Sequence, residues 1–332
     1  MVLIVTYFAN KSTLHSYFDH TMIAREQAQQ AALSGIQIAF SLLTPPAESK
    51  EESGGSSTQK SSQKSIDPHQ HILTNVMPYL NRWQMFTLNK EIDGIDAVIK
   101  ICLICEEGKL AFNKMFDFQK HVFVPPHNGI DPKKIMNLCA NIVSGQGAKK
   151  NLDEAFEAFL KQRPYPFNDA TEFVGMSALP FIYKINLFYA PPVQQTSSEY
   201  PSIFLTDLFT PWVDQLKMNP WLLSDSTCAL FGLKRATLKS DVADRMQAAK
   251  LLKDLKKEMS LKERWDVVGQ KLYGRDFSSI SKDLVALLDE SVRAKNFSVV
   301  SYGSVGHLTQ RVIAIIAQNG ADKFVIKKLY WI

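Results

Sequence analysis

The chain has 332 residues, of which 45% are apolar, 11% aromatic and 21% charged, and its formal net charge is +5. This composition is typical of a globular protein, and it excludes collagen-like chains, disulfide-rich scaffolds and chains that are mostly disordered. Four cysteines in so long a chain do not form a disulfide framework, so we predict a protein of a reducing compartment.

The sequence begins with a largely apolar run over residues 1–8, which is short and lacks the basic residues of a secretory signal. No apolar run reaches the roughly 18 to 20 residues that a membrane-spanning helix needs. We therefore expect an intracellular protein, cytoplasmic or nuclear, with no membrane span.

Residues 1–43 predict a βαβ segment. Residues 2–8 are β-branched and aromatic, as in a buried strand, and a helix with apolar positions at helical spacing follows them. A second strand is predicted over 36–43. Residues 44–68 are rich in Ser, Lys, Glu, Gln and Gly with one large apolar residue, so we predict a disordered linker or a long surface loop there.

Residues 69–130 contain a set of potential metal ligands. Cys102 and Cys105 are separated by two residues, and His121 and His127 follow at a spacing that zinc sites use. Two cysteines so spaced on one turn could complete a tetrahedron with His121, in a short helix predicted over 112–124, and His127, which lies just beyond the Pro125-Pro126 pair that ends this helix. A chain so short folds only around its metal and a small apolar core.

Phe112 and Phe118 stand where such a core needs its apolar side chains. The segment 102–127 therefore resembles a two-cysteine, two-histidine zinc finger. The resemblance implies a zinc ion held by Cys102, Cys105 and the two histidines, and a helix that contacts nucleic acid. The alternative is an ordinary buried strand over 97–105, in which the two thiols point to opposite faces and cannot share a metal ion.

Residues 131–296 predict a helical lobe with a basic segment. From residue 234 to residue 275 there are 12 Lys or Arg and six Asp or Glu, a local net charge of 12 − 6 = +6. Phosphate contacts and aromatic stacking by this segment would suit single-stranded nucleic acid, whereas the alternative is a solvated amphipathic face. The predicted nucleic-acid-binding residues are Lys250, Lys253, Lys256, Lys257, Lys262, Arg264, Lys271 and Arg275.

Residues 297–332 predict a second βαβ segment, with a strand over 297–301, a helix over 308–318 and a strand over 323–330. Gly303, Ser304 and Gly306 lie between the first strand and the helix, where backbone amides can cradle a phosphate. The alternative is a tight turn in which the glycines serve packing alone.

These patterns predict a helix-rich α/β or α+β protein, in which a small sheet from the terminal βαβ units accompanies the helical lobe. The favoured function is a non-enzymatic nucleic-acid-associated protein, with RNA preferred over DNA, organised by zinc. One alternative is a metal-free module for protein–protein interaction or structure. Another is an enzyme that binds a phosphorylated ligand at 303–307, although no set of catalytic residues stands out.

Overall fold

The protein has an α+β fold, as the sequence predicts, and its chain forms two compact units. Unit 1 comprises residues 1–44, 82–103 and 298–332, and unit 2 comprises residues 45–81 and 104–297. The computed structural model describes residues 2–44, 71–144, 152–179, 181–186, 188, 203–233, 269–270, 272–289, 291–320 and 323–332. Most of the predicted linker 44–68 lies outside the described residues.

Unit 1 consists of a long helix and a five-stranded antiparallel sheet with the strand order β1-β2-β7-β8-β9. The helix α1 spans Val2–Leu43. A short helix, α2 (Lys90–Asp93), lies between the first two strands and is capped by the Asn89 side chain, which accepts a hydrogen bond from the Glu91 amide. The strands are β1 (Trp83–Leu88), β2 (Ala97–Cys105), β7 (Asn296–Val305), β8 (Leu308–Gln318) and β9 (Phe324–Trp331).

Small residues let the second half of α1 lie close to the sheet. Ala28, Ala32 and Ala39 follow one face of the helix and are fully buried. On the sheet, a Cβ atom added to Gly303 would lie 2.2 Å from the carbonyl oxygen of Ala28 and 2.4 Å from the amide nitrogen of Ala32. On the helix, a Cβ atom added to Gly35 would lie 2.1 Å from the Ser301 hydroxyl. The two glycines thus allow helix and sheet to pack almost backbone to backbone.

Unit 2 is rich in short helices. These are α3 (Pro132–Ser144), α4 (Leu152–Lys161), α5 (Phe181–Ile185), α6 (Leu205–Leu208), α7 (Asp225–Leu230) and α8 (Lys282–Val285). The parallel pair β3 (Leu110–Ala111) and β6 (Phe209–Thr210) and the antiparallel pair β4 (Phe116–Asp117) and β5 (Val122–Phe123) accompany them. An aromatic cluster fills the core, in which the Phe112 ring contacts those of Phe167 and Phe173 at centroid distances of 4.4 and 5.0 Å.

Several predicted elements are wrong. Residues 2–8 and 36–43 were predicted to be strands but belong to α1, so the N-terminal βαβ segment does not form. Residues 308–318 were predicted to be a helix but form β8, whose Val and Ile residues are buried on both faces of an inner strand. The strands predicted over 97–105, 297–301 and 323–330 are confirmed.

Candidate interaction surface and the predicted site residues

Residues 15–23 of α1 carry exposed apolar side chains. Every side chain from His15 to His20 is exposed. The exposed fraction is 61% for Tyr17, 57% for Phe18, 54% for Met22 and 55% for Ile23. Large apolar side chains exposed close together in this way are typical of a surface that binds another molecule.

The helix continues well beyond the part that packs on the sheet. At 1.5 Å per residue, residues 28–43 extend about 24 Å along the sheet, and residues 2–27 extend about 39 Å further. No helix among the described residues is both long enough and apolar enough to cross a membrane. Most of the stability of a helix in a protein comes from the packing of one of its faces, so packing against another molecule would stabilise this part of α1.

The exposed apolar side chains point in more than one direction. Successive residues are rotated by about 100° around a helix, so Phe18 and Met22 share a face with Leu33, which is 36% exposed. Tyr17 and Ile23 point to either side of that face. Apolar surface on several sides of one helix fits contacts with more than one neighbouring element.

Glu107 is buried in unit 2 and binds two separate parts of that unit. Its carboxylate accepts hydrogen bonds from the backbone amides of Lys295 and Asn296, both at 3.0 Å, and from the Asn296 side chain at 2.9 Å. The Cys105 thiol donates to the same carboxylate at 3.2 Å. Burial raises the pKa of Glu107 from 4.5 to about 7, while the hydrogen bonds from Cys105 and Asn296 act in the opposite direction.

A second buried network in unit 2 contains Lys109, Glu106 and the segment around Asp207. The Lys109 ammonium lies 2.5 Å from a carboxylate oxygen of Glu106 and donates to the carbonyl of Thr206 at 2.9 Å. The Asp207 carboxylate accepts a hydrogen bond from the Ser226 amide, and burial raises its pKa from 3.8 to about 6. Like Glu107, these groups bind backbone atoms of their own unit, so their role is to hold the fold together.

The predicted zinc finger is wrong. Among the residues that the structure describes, no group of three or more His, Cys, Asp or Glu side chains is placed to hold a metal ion. Cys102 and Cys105 are buried in β2, where residues three apart point to opposite faces of the sheet. His121 and His127 are exposed, the first in a turn with φ of 55° and the second in a β-bridge with Ile130.

The helix predicted over 112–124 does not form either. A short 3₁₀ turn over Phe112–Lys114 and the pair β4 and β5 occupy these residues. Phe118 packs edge-to-face on Phe116 with a centroid distance of 5.2 Å, so it belongs to the aromatic core of unit 2. The zinc-organised, RNA-binding function that rested on this segment is therefore wrong.

Of the eight predicted nucleic-acid-binding residues, the structure describes Arg275. Lys250, Lys253, Lys256, Lys257, Lys262, Arg264 and Lys271 lie outside the described residues. Arg275 is exposed, and its guanidinium donates to the Ser279 hydroxyl at 2.8 Å and to the Gly232 carbonyl at 3.0 Å. This guanidinium binds its own unit, which leaves it fewer hydrogens for a phosphate.

The predicted phosphate loop lacks the helix that it requires. Gly303 and Ser304 lie within β7, and Gly306 has a φ of +57° in the turn that leads into β8. No helix N-terminus follows, so no row of free amides is directed toward a ligand here. Gly303 instead serves the close contact with α1, and Gly306 serves a tight hairpin turn.

Two features of the structure were missed from the sequence. The exposed apolar residues of α1 were interpreted as part of an amphipathic helix between two strands; the signal that could have revealed one long helix is the absence of proline before residue 45. The buried carboxylates at Glu107 and Asp207 carry no sequence signal, because the backbone amides that they bind are 19 to 189 residues away in the chain.

Comparison with known proteins gives one type of match. No protein-family model matches the chain, and no curated protein matches it. Among solved structures, a chain of the GspK–GspI–GspJ complex from the type 2 secretion system of enterotoxigenic Escherichia coli is similar to it. The TM-score is 0.39 and the identity 12%, and the match covers 97% of this chain and 99% of that one.

Proposed function

We propose that this protein is a metal-free protein–protein interaction module, and that residues 15–23 of α1 are its docking element. The partner is an apolar helix of another protein chain. The observation that carries the proposal is the exposure of Tyr17, Phe18, Met22 and Ile23, each more than half accessible to solvent on a helix that extends beyond its own sheet.

The balance of charges in residues 2–27 of α1 supports an apolar partner. Residues 2–27 contain Lys11 and Arg25 against Asp19 and Glu26, so their formal charge is balanced. Few charges have to be desolvated when such a surface is covered, and burial of apolar area supplies the driving force. A strongly charged partner would find no complementary charge here.

The proposal is tested by photo-cross-linking in the full chain. We expect a benzophenone amino acid at Phe18 or Met22, introduced in cells of the source organism, to form adducts with an apolar helical segment of another protein. Mass spectrometry of the linked peptide distinguishes a second copy of this chain from a different protein. Adding Phe18→Asp to the Met22 probe should reduce the adduct yield at least tenfold, because a carboxylate would have to be buried.

The matched control is the same probe at Gln37, an exposed polar position on the part of α1 that packs on the sheet. We expect adducts there to be at least tenfold fewer. Equal yields at Gln37 and Met22, adducts with lipid, or no protein adducts at either apolar position would contradict the proposal.

A further inference from the structure

The edge strand β9 presents a strip of apolar side chains on the face of the sheet that α1 covers. Gly303 faces α1, so its neighbour Tyr302 faces the other way. Arg311 lies over the Tyr302 ring at 5.5 Å and therefore shares that opposite face. It follows that the next residue along β8, Val312, faces α1.

The register of β8 and β9 extends this assignment to the edge strand. Val312 pairs with Trp331, Ala314 with Leu329 and Ile316 with Ile326, and paired residues point to the same face. The three β9 partners are therefore on the α1 face of the sheet: Ile326, Leu329 and Trp331.

Burial changes sharply between these two adjacent strands. Val312, Ala314 and Ile316 are all 0% exposed, whereas the exposed fraction of their three partners is 49% for Ile326, 41% for Leu329 and 46% for Trp331. Because α1 packs on β8 and a helix is about 10 Å wide, it leaves the edge strand uncovered. The strip is about 17 Å long, the length of a helix of roughly 11 residues.

The C-terminal strands carry more positive than negative charge. Residues 298–332 contain Arg311, Lys323, Lys327 and Lys328 against Asp322, a formal net charge of 4 − 1 = +3. Arg311, and Lys328 through its pair Ile315, lie on the face away from α1, so the positive charge nearest the strip comes from the other two lysines. Lys323 and Lys327 are exposed. A partner that covers the strip therefore meets apolar side chains at its centre and positive charge beside them, and negative charge on the partner complements it.

We propose that β9 is a second docking surface, which binds an amphipathic helix with acidic flanks from a partner protein. The helix lies on the α1 face of the sheet, with its apolar side over Ile326, Leu329 and Trp331 and its carboxylates near Lys323 and Lys327. Two helices side by side on one sheet face pack at the usual distance of about 8–10 Å. This surface is separate from residues 15–23 of α1, so the proposal does not depend on the function proposed above.

The test uses the full chain and two synthetic 14-residue helical peptides. Both have the same leucine face, and their flanks are glutamate in one and lysine in the other. By fluorescence anisotropy, we expect the glutamate peptide to bind at least tenfold more tightly. Leu329→Asp should weaken that binding at least tenfold. Lys327→Glu, at an exposed position that leaves the fold intact, should weaken binding of the glutamate peptide several-fold. The same change should strengthen binding of the lysine peptide.

Two variants serve as controls. Met85→Asp changes an exposed side chain on β1, the opposite edge of the sheet, and Phe18→Asp changes an exposed side chain of α1. Both should alter the affinity less than twofold. Equal binding of the two peptides, no effect of Lys327→Glu, or a dimer of this chain that Leu329→Asp dissociates would each overturn the proposal, the last because a second copy would then cover the strip.

Discussion

Gly303→Val is expected to lower the free energy of unfolding by about 3 kcal/mol or more, since overpacking a tight contact costs 1–3 kcal/mol and more where nothing can move. The added Cβ atom would lie 2.2 Å from the backbone oxygen of Ala28 and 2.4 Å from the backbone nitrogen of Ala32. Backbone atoms inside a helix cannot rotate away as a side chain can. Helix α1 must therefore shift as a whole or leave the sheet. Urea-induced unfolding, followed by circular dichroism, measures the loss.

Gly303→Ala should also lower the free energy of unfolding, and this direction of change tests the close contact. An alanine in place of a strand glycine with free space around it would stabilise the protein by roughly 0.5–1 kcal/mol. The matched control is Gly175→Ala, where the new Cβ atom would lie an ordinary 3.8 Å from the Phe159 ring. If Gly303→Ala proves as stable as the wild type, the close contact between helix and sheet does not exist.

Glu107→Ala is expected to lower the free energy of unfolding by about 3 kcal/mol, because unpaired buried donors cost roughly 1–3 kcal/mol each. The backbone amides of Lys295 and Asn296 would lose their common acceptor. Glu107→Gln is the matched control. Its carbonyl oxygen can accept the same bonds and its amide can face the Cys105 sulfur, so most of the loss should be recovered.

The same carboxylate predicts how stability depends on pH. The pKa of Glu107 is about 7 in the folded protein against an ordinary 4.5, and that of Asp207 is about 6 against 3.8. The folded state therefore holds these protons more tightly than the unfolded chain does. Their stabilising contribution is complete below about pH 4 and is lost as the pH rises through 6 and 7.

For Glu107 alone, the loss between pH 4.5 and pH 8 is on the order of 3 kcal/mol. Burial, followed by the charge of Glu107, raises the pKa of the Cys105 thiol, so this neighbour stays protonated across the range. Unfolding curves at pH 5 and pH 8 measure the effect, and Glu107→Gln should remove the part due to this residue. If the free energy of unfolding changes between pH 5 and pH 8 by the same amount in the wild type and in Glu107→Gln, this account is refuted.

The strands of the sheet could be predicted where the sequence is β-branched and bounded by polar residues, as at 97–105. The same reasoning failed at 2–8 and 36–43, because a short apolar run fits a buried strand or a buried turn of helix equally well. The deciding information is continuity. Residues 24–33 (AREQAQQAAL) are all good helix formers, and they lie between the two runs within one helix.

The candidate site was less predictable than the fold. The spacing of Cys102, Cys105, His121 and His127 matches a zinc finger along the chain, but spacing does not fix distance when a strand and turns intervene. The exposure of Phe18 and Leu329 depends on which surfaces α1 covers. That is a property of the packed structure, and no local pattern reports it.

The strand order has a consequence for how such a chain can vary. β2 and β7 are antiparallel neighbours, and the 190 residues 106–295 connect the end of β2 to the start of β7. This long segment connects two paired strands that lie about 5 Å apart, as the short loop of a hairpin does. The entropy of closing a connection changes by only about 0.6 kcal/mol per doubling of its length. A change in the length of this connection therefore costs the sheet little closure entropy.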